Sequence, residues 1–207
     1  MAYIGNKPAN KAVVASDLDP AVITGQTALA VAPADTDEFL ISDAGTLKRI
    51  DASLVGGGGI TVADQWRLTA SFTSNADITS NLERIDTSPQ GVLGSMSESS
   101  GIFTFPSTGY YWVLFTVVGQ SDNGGGTVIG QIKATANNSS YSNMTYGGYG
   151  SSDGRVNTFT NSTLIDVTDT ANVKVKFNIS SISNSDEVYG SSTQNQTNMT
   201  FIRLGDT

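Results

Sequence analysis

Carboxylates are the side chains of this sequence that could most readily perform acid–base chemistry at neutral pH. Neither cysteine nor histidine occurs among its 207 residues, which excludes Ser-His-Asp triads, Cys-His pairs and His/Cys zinc sites. Two pairs of carboxylates could be sought for glycoside cleavage, Glu83 with Asp86 and Asp166 with Asp169. The second pair falls on a predicted turn, and nothing places either pair across an open groove. We therefore predict that the protein is not an enzyme, with a glycan-cleaving enzyme as a minor alternative.

Oxygen-bearing side chains also gather in the predicted loops, where they could hold a hard cation. Calcium needs several such oxygens in one cage, but no stretch has the spacing of a calcium-binding loop, and Asp or Asn in turns usually bonds to nearby backbone. We predict no cofactor, with a structural calcium ion as the alternative and no ligand assigned. The residues concerned are Asn75, Asp77, Asp122, Asn123, Asp153, Asp186 and Glu187.

Residues 139–150 combine three tyrosines with small, flexible residues. Tyr141, Tyr146 and Tyr149 offer large amphipathic contact areas among adaptable hydrogen-bonding groups. These tyrosines are our candidates for receptor binding, to either a glycan or a protein. The alternative is that they pack across a sheet or against a neighbouring subunit.

Composition and charge limit the partners of the chain. Its net charge is −8 and no dense cluster of lysine and arginine occurs, which argues against a nucleic-acid partner. The apolar run at residues 28–32 is too short to span a bilayer, so we predict no membrane insertion. The first nine residues lack a basic leader followed by an apolar core, which predicts synthesis in a cytoplasm without an export signal.

The sequence divides into three segments. Residues 1–55 begin with a proline-bearing arm, residues 1–26, that we expect to be extended. The pattern of a β-hairpin follows, with strands at 37–43 and 46–51 joined by Ala44 and Gly45. A lone hairpin is marginally stable, so we expect it to lean on copies of itself or on a partner. Four glycines at 56–59 form a linker. Residues 60–207 form the third segment, a single head domain.

The head reads as a succession of strands with loops rich in glycine, asparagine and serine. About eight strands at this spacing predict an all-β protein, a sandwich or jelly roll. On the first strand, Trp66, Leu68, Ala70 and Phe72 are expected to share one face. The predicted strands cover residues 65–72, 81–86, 102–105, 110–118, 127–135, 156–165, 172–179 and 199–204.

The segment Gly101-Ile-Phe-Thr-Phe-Pro-Ser-Thr-Gly-Tyr-Tyr111 resembles the Gly-x-Phe-x-Pro-x-x-Gly-x-Tyr core of complement-type globular heads, which share their jelly roll with tumour necrosis factor. Residues 164–177 are similar to the family's Leu-x-x-Gly-Asp-x-Val hairpin, with Thr168 where glycine is usual. Residues 199–204 resemble its closing strand. The resemblance covers about residues 65–207 and implies a jelly-roll β-sandwich that forms a homotrimer and works by binding.

A second resemblance concerns both ends of the chain. Met1-Ala-Tyr-Ile-Gly-Asn-Lys-Pro-Ala9 looks like the opening of tail-fibre and appendage proteins of marine bacteriophages. Residues 37–51 are similar to a short module repeated in phage fibres, and 97–109 and 203–207 also look phage-like. The resemblance implies a virion protein assembled in the host bacterial cytoplasm, whose residues 1–55 dock onto other tail or capsid proteins. The docking candidates are Tyr3, Ile4, Asn6 and Pro8.

Two roles follow from these resemblances. In the first, the protein is a tail fibre or appendage whose trimeric head binds a glycan or protein on the host cell surface. In the second, it is a capsid or tail decoration protein that stabilises the particle through protein–protein contacts. The sequence favours the first, because the opening nine residues resemble those of tail proteins.

Overall fold

The computed structural model describes residues 21–55, apart from positions 26, 32 and 35, and residues 59–121, 126–151, 154–182 and 186–207. The chain divides into two compact units, residues 1–57 and residues 58–207, called here the N-terminal unit and the head. Within the described ranges, no helix is long and apolar enough to cross a membrane. The roles predicted for the two segments and for the glycine linker stay predictions.

The described part of the N-terminal unit centres on a β-hairpin. Strand β1 (Glu38–Asp43) pairs antiparallel with β2 (Thr46–Asp51), as the sequence predicts. Ala44 and Gly45 connect them with φ angles of 48° and 82°. Two positive values in succession are typical of the type I′ turn, whose twist suits tight hairpins.

Apolar side chains of β1 are exposed to solvent. Phe39, Leu40 and Ile41 are 42%, 71% and 37% exposed, since a two-stranded sheet offers no second layer to cover them. A single helical turn, α1 (Ala21–Thr24), precedes the hairpin in the arm that the sequence predicts to be extended. One turn is too short to show a helical period in the sequence. A 3-10 turn (Ala52–Leu54) follows the hairpin.

The described part of the head contains thirteen strands, and each of the eight predicted strands overlaps one of them. The other five have only two to five residues each, which is too short to show the alternation that predicts strands, and three of them consist mostly of glycine, serine or asparagine. The strands are β3 (Ala63–Leu68), β4 (Ala76–Asp77), β5 (Leu82–Arg84), β6 (Ser97–Ser99), β7 (Ile102–Thr104), β8 (Gly109–Ser121), β9 (Gly126–Thr135), β10 (Ser142–Asn143), β11 (Gly147–Ser151), β12 (Arg155–Val167), β13 (Lys174–Ser180), β14 (Glu187–Val188) and β15 (Asn198–Gly205).

These strands form two antiparallel sheets. The six-stranded sheet has the order β12-β8-β15-β3-β5, with β14 beside β8. The seven-stranded sheet has the order β10-β9-β13-β7-β6, with β11 beside β9 and β4 beside β13. Neighbouring strands are mostly distant in sequence, as in a jelly roll. The predicted all-β jelly-roll sandwich is therefore confirmed.

An aromatic cluster joins the two sheets. Phe103 on β7 packs edge-on against Trp66 on β3, with ring centroids 5.5 Å apart, and against Phe177 on β13 at 5.4 Å. Phe201 on β15 lies 5.0 Å from Phe103. These three contacts of Phe103 span both layers, and the two edge-to-face pairs among them contribute beyond their buried area. This cluster forms the centre of the core.

The glycine-flanked segment 101–111 turns the chain between β7 and β8. Phe105 and Tyr111 are buried with ring centroids 4.6 Å apart, and the Tyr111 hydroxyl donates to the Ser107 carbonyl at 3.1 Å. Gly109 has φ 132°, and a Cβ there would lie 2.3 Å from the Gly205 carbonyl oxygen. Glycine is therefore needed at this position by both conformation and close approach.

Strand β3 differs from its prediction. It ends at Leu68, so Ala70 is exposed and does not share a buried face with Trp66. The side chain of Arg67 is instead fully buried, and its Nη2 donates to Glu83 Oε1 at 2.8 Å and to Asp86. Buried charges need partners, and these partners come from β5 and the loop after it, which a local sequence pattern does not reveal.

Candidate functional site

The predicted virion-docking residues Tyr3, Ile4, Asn6 and Pro8 lie outside the described residues, and their role stays a prediction. In the described part of the N-terminal unit, Phe39 and Ile41 share one face of the hairpin and Leu40 lies on the other, and these exposed apolar side chains suit a protein contact. Burial of such side chains against a partner is favourable because it removes apolar surface from water.

Tyr149, one of the three candidate receptor-binding tyrosines, lies in the core. Its side chain on β11 is 8% exposed, and its ring packs 5.8 Å from that of Phe159. The hydroxyl oxygen is buried without a hydrogen-bond partner, and burial, with smaller contributions from Asp186 and Tyr189, raises the pKa of Tyr149 to about 12. The prediction that Tyr149 contacts a receptor is therefore corrected, because its ring fills the space between the sheets.

The other two tyrosines have different surroundings. Tyr146, between β10 and β11, is 73% exposed, which is the exposure that recognition requires. Tyr141 is half-buried, and the Lys176 ammonium nitrogen lies 4.4 Å from the centre of its ring, a cation–π arrangement. Burial raises the pKa of Tyr141 against the opposing effect of Lys176. Receptor binding by Tyr141 and Tyr146 stays a prediction.

A cluster of charged side chains lies beside Tyr141 on the seven-stranded sheet. Lys176 on β13 is directly opposite Lys133 on β9 in the strand register. The Lys176 ammonium nitrogen lies 2.6 Å from Asp77 Oδ2, and that of Lys133 lies 2.9 Å from Asp77 Oδ1, to which the Asn178 amide also donates at 2.8 Å. Burial alone would raise the pKa of Asp77, but hydrogen bonds from Lys176, Lys133 and Asn178 hold it below its ordinary value. We call these four residues with Tyr141 the lysine face.

The lysine face was not predicted from the sequence, although part of its signal is visible there. In Lys174-Val-Lys-Phe177 the lysines alternate with Val175 and Phe177, which are buried. Alternation of this kind places both lysines on the outer side of the sheet. The pairing with Lys133 depends on the β9–β13 register, which the sequence does not display.

The outer side of the six-stranded sheet carries exposed apolar side chains. Trp112 on β8 is 44% exposed and lies between Leu164 on β12 and Ile202 on β15 in the register. Leu164 is 56% exposed, and Tyr110, two residues before Trp112 on the same side of β8, is 39% exposed. We call these four residues the apolar stripe. A continuous patch of this kind is characteristic of an interaction surface.

An open cleft of about 490 Å³ runs beside the edge strand β12. Leu164 and Met144 contribute apolar walls, and Asp166, Asn137 and Ser142 contribute polar groups. Leu164 belongs to both the cleft and the apolar stripe. The two surfaces therefore meet along β12.

The candidate catalytic carboxylates have structural contacts. Glu83 and Asp86 both bind Arg67. The Asp169 carboxylate accepts hydrogen bonds from the Ala171 backbone N–H at 2.7 Å and the Asn172 amide at 2.6 Å, which lower its pKa. This Asx turn closes the β12–β13 connection. Glu83, Asp86 and Asp169 thus serve the fold, and the absence of enzymatic activity stays a prediction.

The acidic loops do not form a metal site in the described part of the chain, where no three Asp or Glu side chains gather closely enough to hold an ion. Asp77 is committed to the lysine face, and Asn75 Oδ1 accepts the backbone N–H of Ile182 at 2.7 Å. Asp122, Asn123 and Asp153 lie outside the described residues. A structural calcium ion therefore has no ligand set among the described residues, and that alternative stays a prediction.

Comparisons with known proteins identify the fold. No family model matches the sequence, and no curated protein matches it. Among solved structures, murine APRIL at pH 5.0 superimposes with a TM-score of 0.53 at 9% identity, covering 69% of this chain and 98% of that chain. Eiger TNF from S. frugiperda superimposes with a TM-score of 0.54 at 10% identity, covering 70% and 94%. The two sheets of this chain thus form a tumour-necrosis-factor-like jelly roll.

Proposed function

We propose that this chain is a structural protein of a bacteriophage virion, a tail fibre or appendage whose head forms a homotrimer and binds the host cell surface. The observation that carries the proposal is the apolar stripe on a tumour-necrosis-factor-like jelly roll. Trp112, Leu164 and Tyr110 are each more than a third exposed in a single chain, and burial against another copy would remove their apolar surface from water.

The positions of the stripe and the cleft support a closed ring of copies. They are different surfaces that meet along the edge strand β12. When one such surface packs against the other on the next copy, the contact is heterologous, and three copies form a closed ring when each is rotated by a third of a turn from the last. Association would also cover β12, a thirteen-residue edge strand that would otherwise offer unpaired backbone groups to other chains.

The N-terminal unit is proposed to attach the head to the particle. Its first nine residues and its hairpin resemble phage fibre modules, and the β1 side chains Phe39, Leu40 and Ile41 are exposed. We assign the docking of residues 1–55 to other tail or capsid proteins, with Tyr3, Ile4, Asn6 and Pro8 in contact. Membrane insertion and nucleic-acid binding have no place in this role.

A trimeric head suits the proposed binding to the host. Three identical heads that each bind weakly gain avidity on a repetitive cell surface. Tyr146, at 73% exposure, is the candidate among the three tyrosines that is best placed to reach a receptor. The reaction is reversible binding, with no covalent step.

Two experiments test the proposal. Gold-labelled antibodies against this chain, applied to phage particles whose genome encodes it, should mark the tail. Labelling of the capsid surface would instead indicate the decoration role. The fluorescently labelled full chain should also bind cells of the phage's host saturably and compete with phage adsorption, and absence of binding to host cells would contradict the receptor-binding role.

A further inference from the structure

We infer that the lysine face is a binding site for an acidic polysaccharide. This inference rests on the proposed function and gives it a location and a ligand class. It begins with an unfavourable feature of the fold. Lys133 and Lys176 are cross-strand neighbours on the solvent side of the sheet, and like charges directly opposite each other destabilise a sheet. A purely structural position would be served better by one lysine opposite a neutral or acidic residue.

One carboxylate does not neutralise the pair. Asp77 bonds one oxygen to each ammonium group, at 2.9 Å from Lys133 and 2.6 Å from Lys176. Lys174, two residues before Lys176 on the same side of β13, directs its ammonium to neutral oxygens, Thr104 Oγ1 at 3.0 Å and the Thr170 carbonyl at 2.6 Å. The exposed Asp169 carboxylate also interacts electrostatically with Lys174. Positive charge is therefore in excess here, on a chain whose net charge is −8.

The two opposed ammonium groups are held in place. The side chains of Lys133 and Lys176 are only 22% and 23% exposed, whereas lysines are normally well solvated. Asp77 fixes the end of each side chain, and the Tyr141 ring packs on Lys176. Partial burial strengthens their attraction for an anion because the local dielectric constant is lower than that of water. Because the two lysine side chains are already ordered, their conformational entropy falls little when a ligand binds.

The surroundings favour a sugar chain that carries carboxylate groups. The half-buried amide of Asn178 lies within the cluster, so hydroxyl groups next to a bound carboxylate would meet a hydrogen-bonding group. Nucleic acid is the competing polyanion. It is recognised by longer rows of cations and by open aromatic faces, whereas Lys176 lies over the Tyr141 ring. A few fixed charges in each head suit a polymer with one acid group per repeat.

The test uses the full chain, immobilised, with polygalacturonate as the probe, dextran as the neutral control and single-stranded DNA as the competing polyanion. We expect the chain to bind polygalacturonate but neither dextran nor DNA, and we expect added salt to weaken this binding. Lys133→Gln and Lys176→Gln should each weaken it by about tenfold, the size of one charge-assisted hydrogen bond. Arg155→Gln, which removes the same charge from an exposed site on β12, should leave it unchanged. Each Lys→Gln variant leaves Asp77 one lysine partner, and its melting temperature reports folding.

Specific outcomes would overturn the inference. These are no binding of polygalacturonate, equal binding of DNA, equal losses in Arg155→Gln and the lysine variants, or unchanged affinity in correctly folded Lys176→Gln. Lys176→Arg, which keeps the charge, should retain binding. Host-cell binding by the same proteins separates this inference from the proposed function. If both lysine variants bound host cells as well as the unaltered chain does, the lysine face would be excluded as the polysaccharide site, and the receptor-binding role would stand. If the unaltered chain did not bind host cells, the receptor-binding role itself would be contradicted.

Discussion

Replacement of Trp112 by threonine tests how the head assembles. Trp112 is 44% exposed at the centre of the apolar stripe, and we propose that it becomes buried against the next copy. If tryptophan carries roughly 250 Å² of surface, its exposed part is about 110 Å². At about 25 cal/mol per Å², its burial contributes about 2.7 kcal/mol at each interface. Threonine keeps the strand preference while removing the ring.

The expected effect is large because a closed trimer contains three such interfaces. A loss of about 2.7 kcal/mol is about 100-fold per interface and about 10⁶-fold in the trimer dissociation constant. Because the midpoint concentration varies as the square root of that constant, it should rise about 1,000-fold. Sedimentation equilibrium over a dilution series measures this midpoint directly.

A matched control separates the stripe from aromatic surface in general. Tyr146→Ala removes a ring that is 73% exposed but lies outside the stripe. The concentration at which this variant is half dissociated should therefore equal that of the unaltered chain. The strand content of both variants is checked by circular dichroism. If folded Trp112→Thr dissociated at the same concentration as the unaltered chain, the stripe would not be the trimer interface and the reasoning would be refuted.

Three further substitutions test the fold. Tyr149→Phe should raise the free energy of unfolding in urea by about 1–2 kcal/mol, because the hydroxyl is buried without a partner. It should also flatten the loss of stability as pH rises from about 10 towards 12, since the folded chain, with a pKa of about 12, keeps a proton that the unfolded chain releases. Ala44→Asn should slow amide exchange in β1 and β2 about fivefold, because asparagine tolerates the positive φ of 48° better than alanine. Gly109→Ala should lower the free energy of unfolding by more than about 2 kcal/mol, since its Cβ would lie 2.3 Å from the Gly205 carbonyl. Unchanged stability in Tyr149→Phe would contradict the unpartnered hydroxyl, and unchanged stability in Gly109→Ala would contradict the close approach of Gly205. Unchanged exchange in Ala44→Asn would contradict the strained turn at Ala44.

The strands that sequence predicts well are those whose pattern is local. Phe103 and Phe105 lie on either side of the polar Thr104, and the next strand begins at Gly109 after a proline, so both spacing and turn chemistry are visible in the sequence. The structure buries both phenylalanines and Tyr111. Local alternation and a turn signal together were sufficient to place this part of the core.

Tyr149 shows where local reasoning fails. It lies in Gly147-Gly-Tyr-Gly-Ser151, and glycine is depleted in strands, so the segment reads as a loop. The structure pairs Tyr149 with Val128 on β9, which directs the ring inwards against Phe159. Tertiary pairing, rather than strand preference, decides its position.

The charged clusters are hidden from the sequence for a related reason. Arg67 meets Glu83 and Asp86 only after β5 has paired with β3, and Lys133 meets Lys176 only in the β9–β13 register. Both contacts join residues that are far apart in the chain. The sequence supplies the charges, but their partners depend on long-range pairing.

The solution mass of the full chain, measured by light scattering beside that of residues 58–207, tests the central claim most directly. The account predicts a full-chain mass three times the 21.6 kDa of one chain and a head that is also trimeric, because the apolar stripe lies within it. A stable monomer at every concentration tested, for both proteins, would contradict the trimeric receptor-binding head and favour a decoration subunit that folds against the particle.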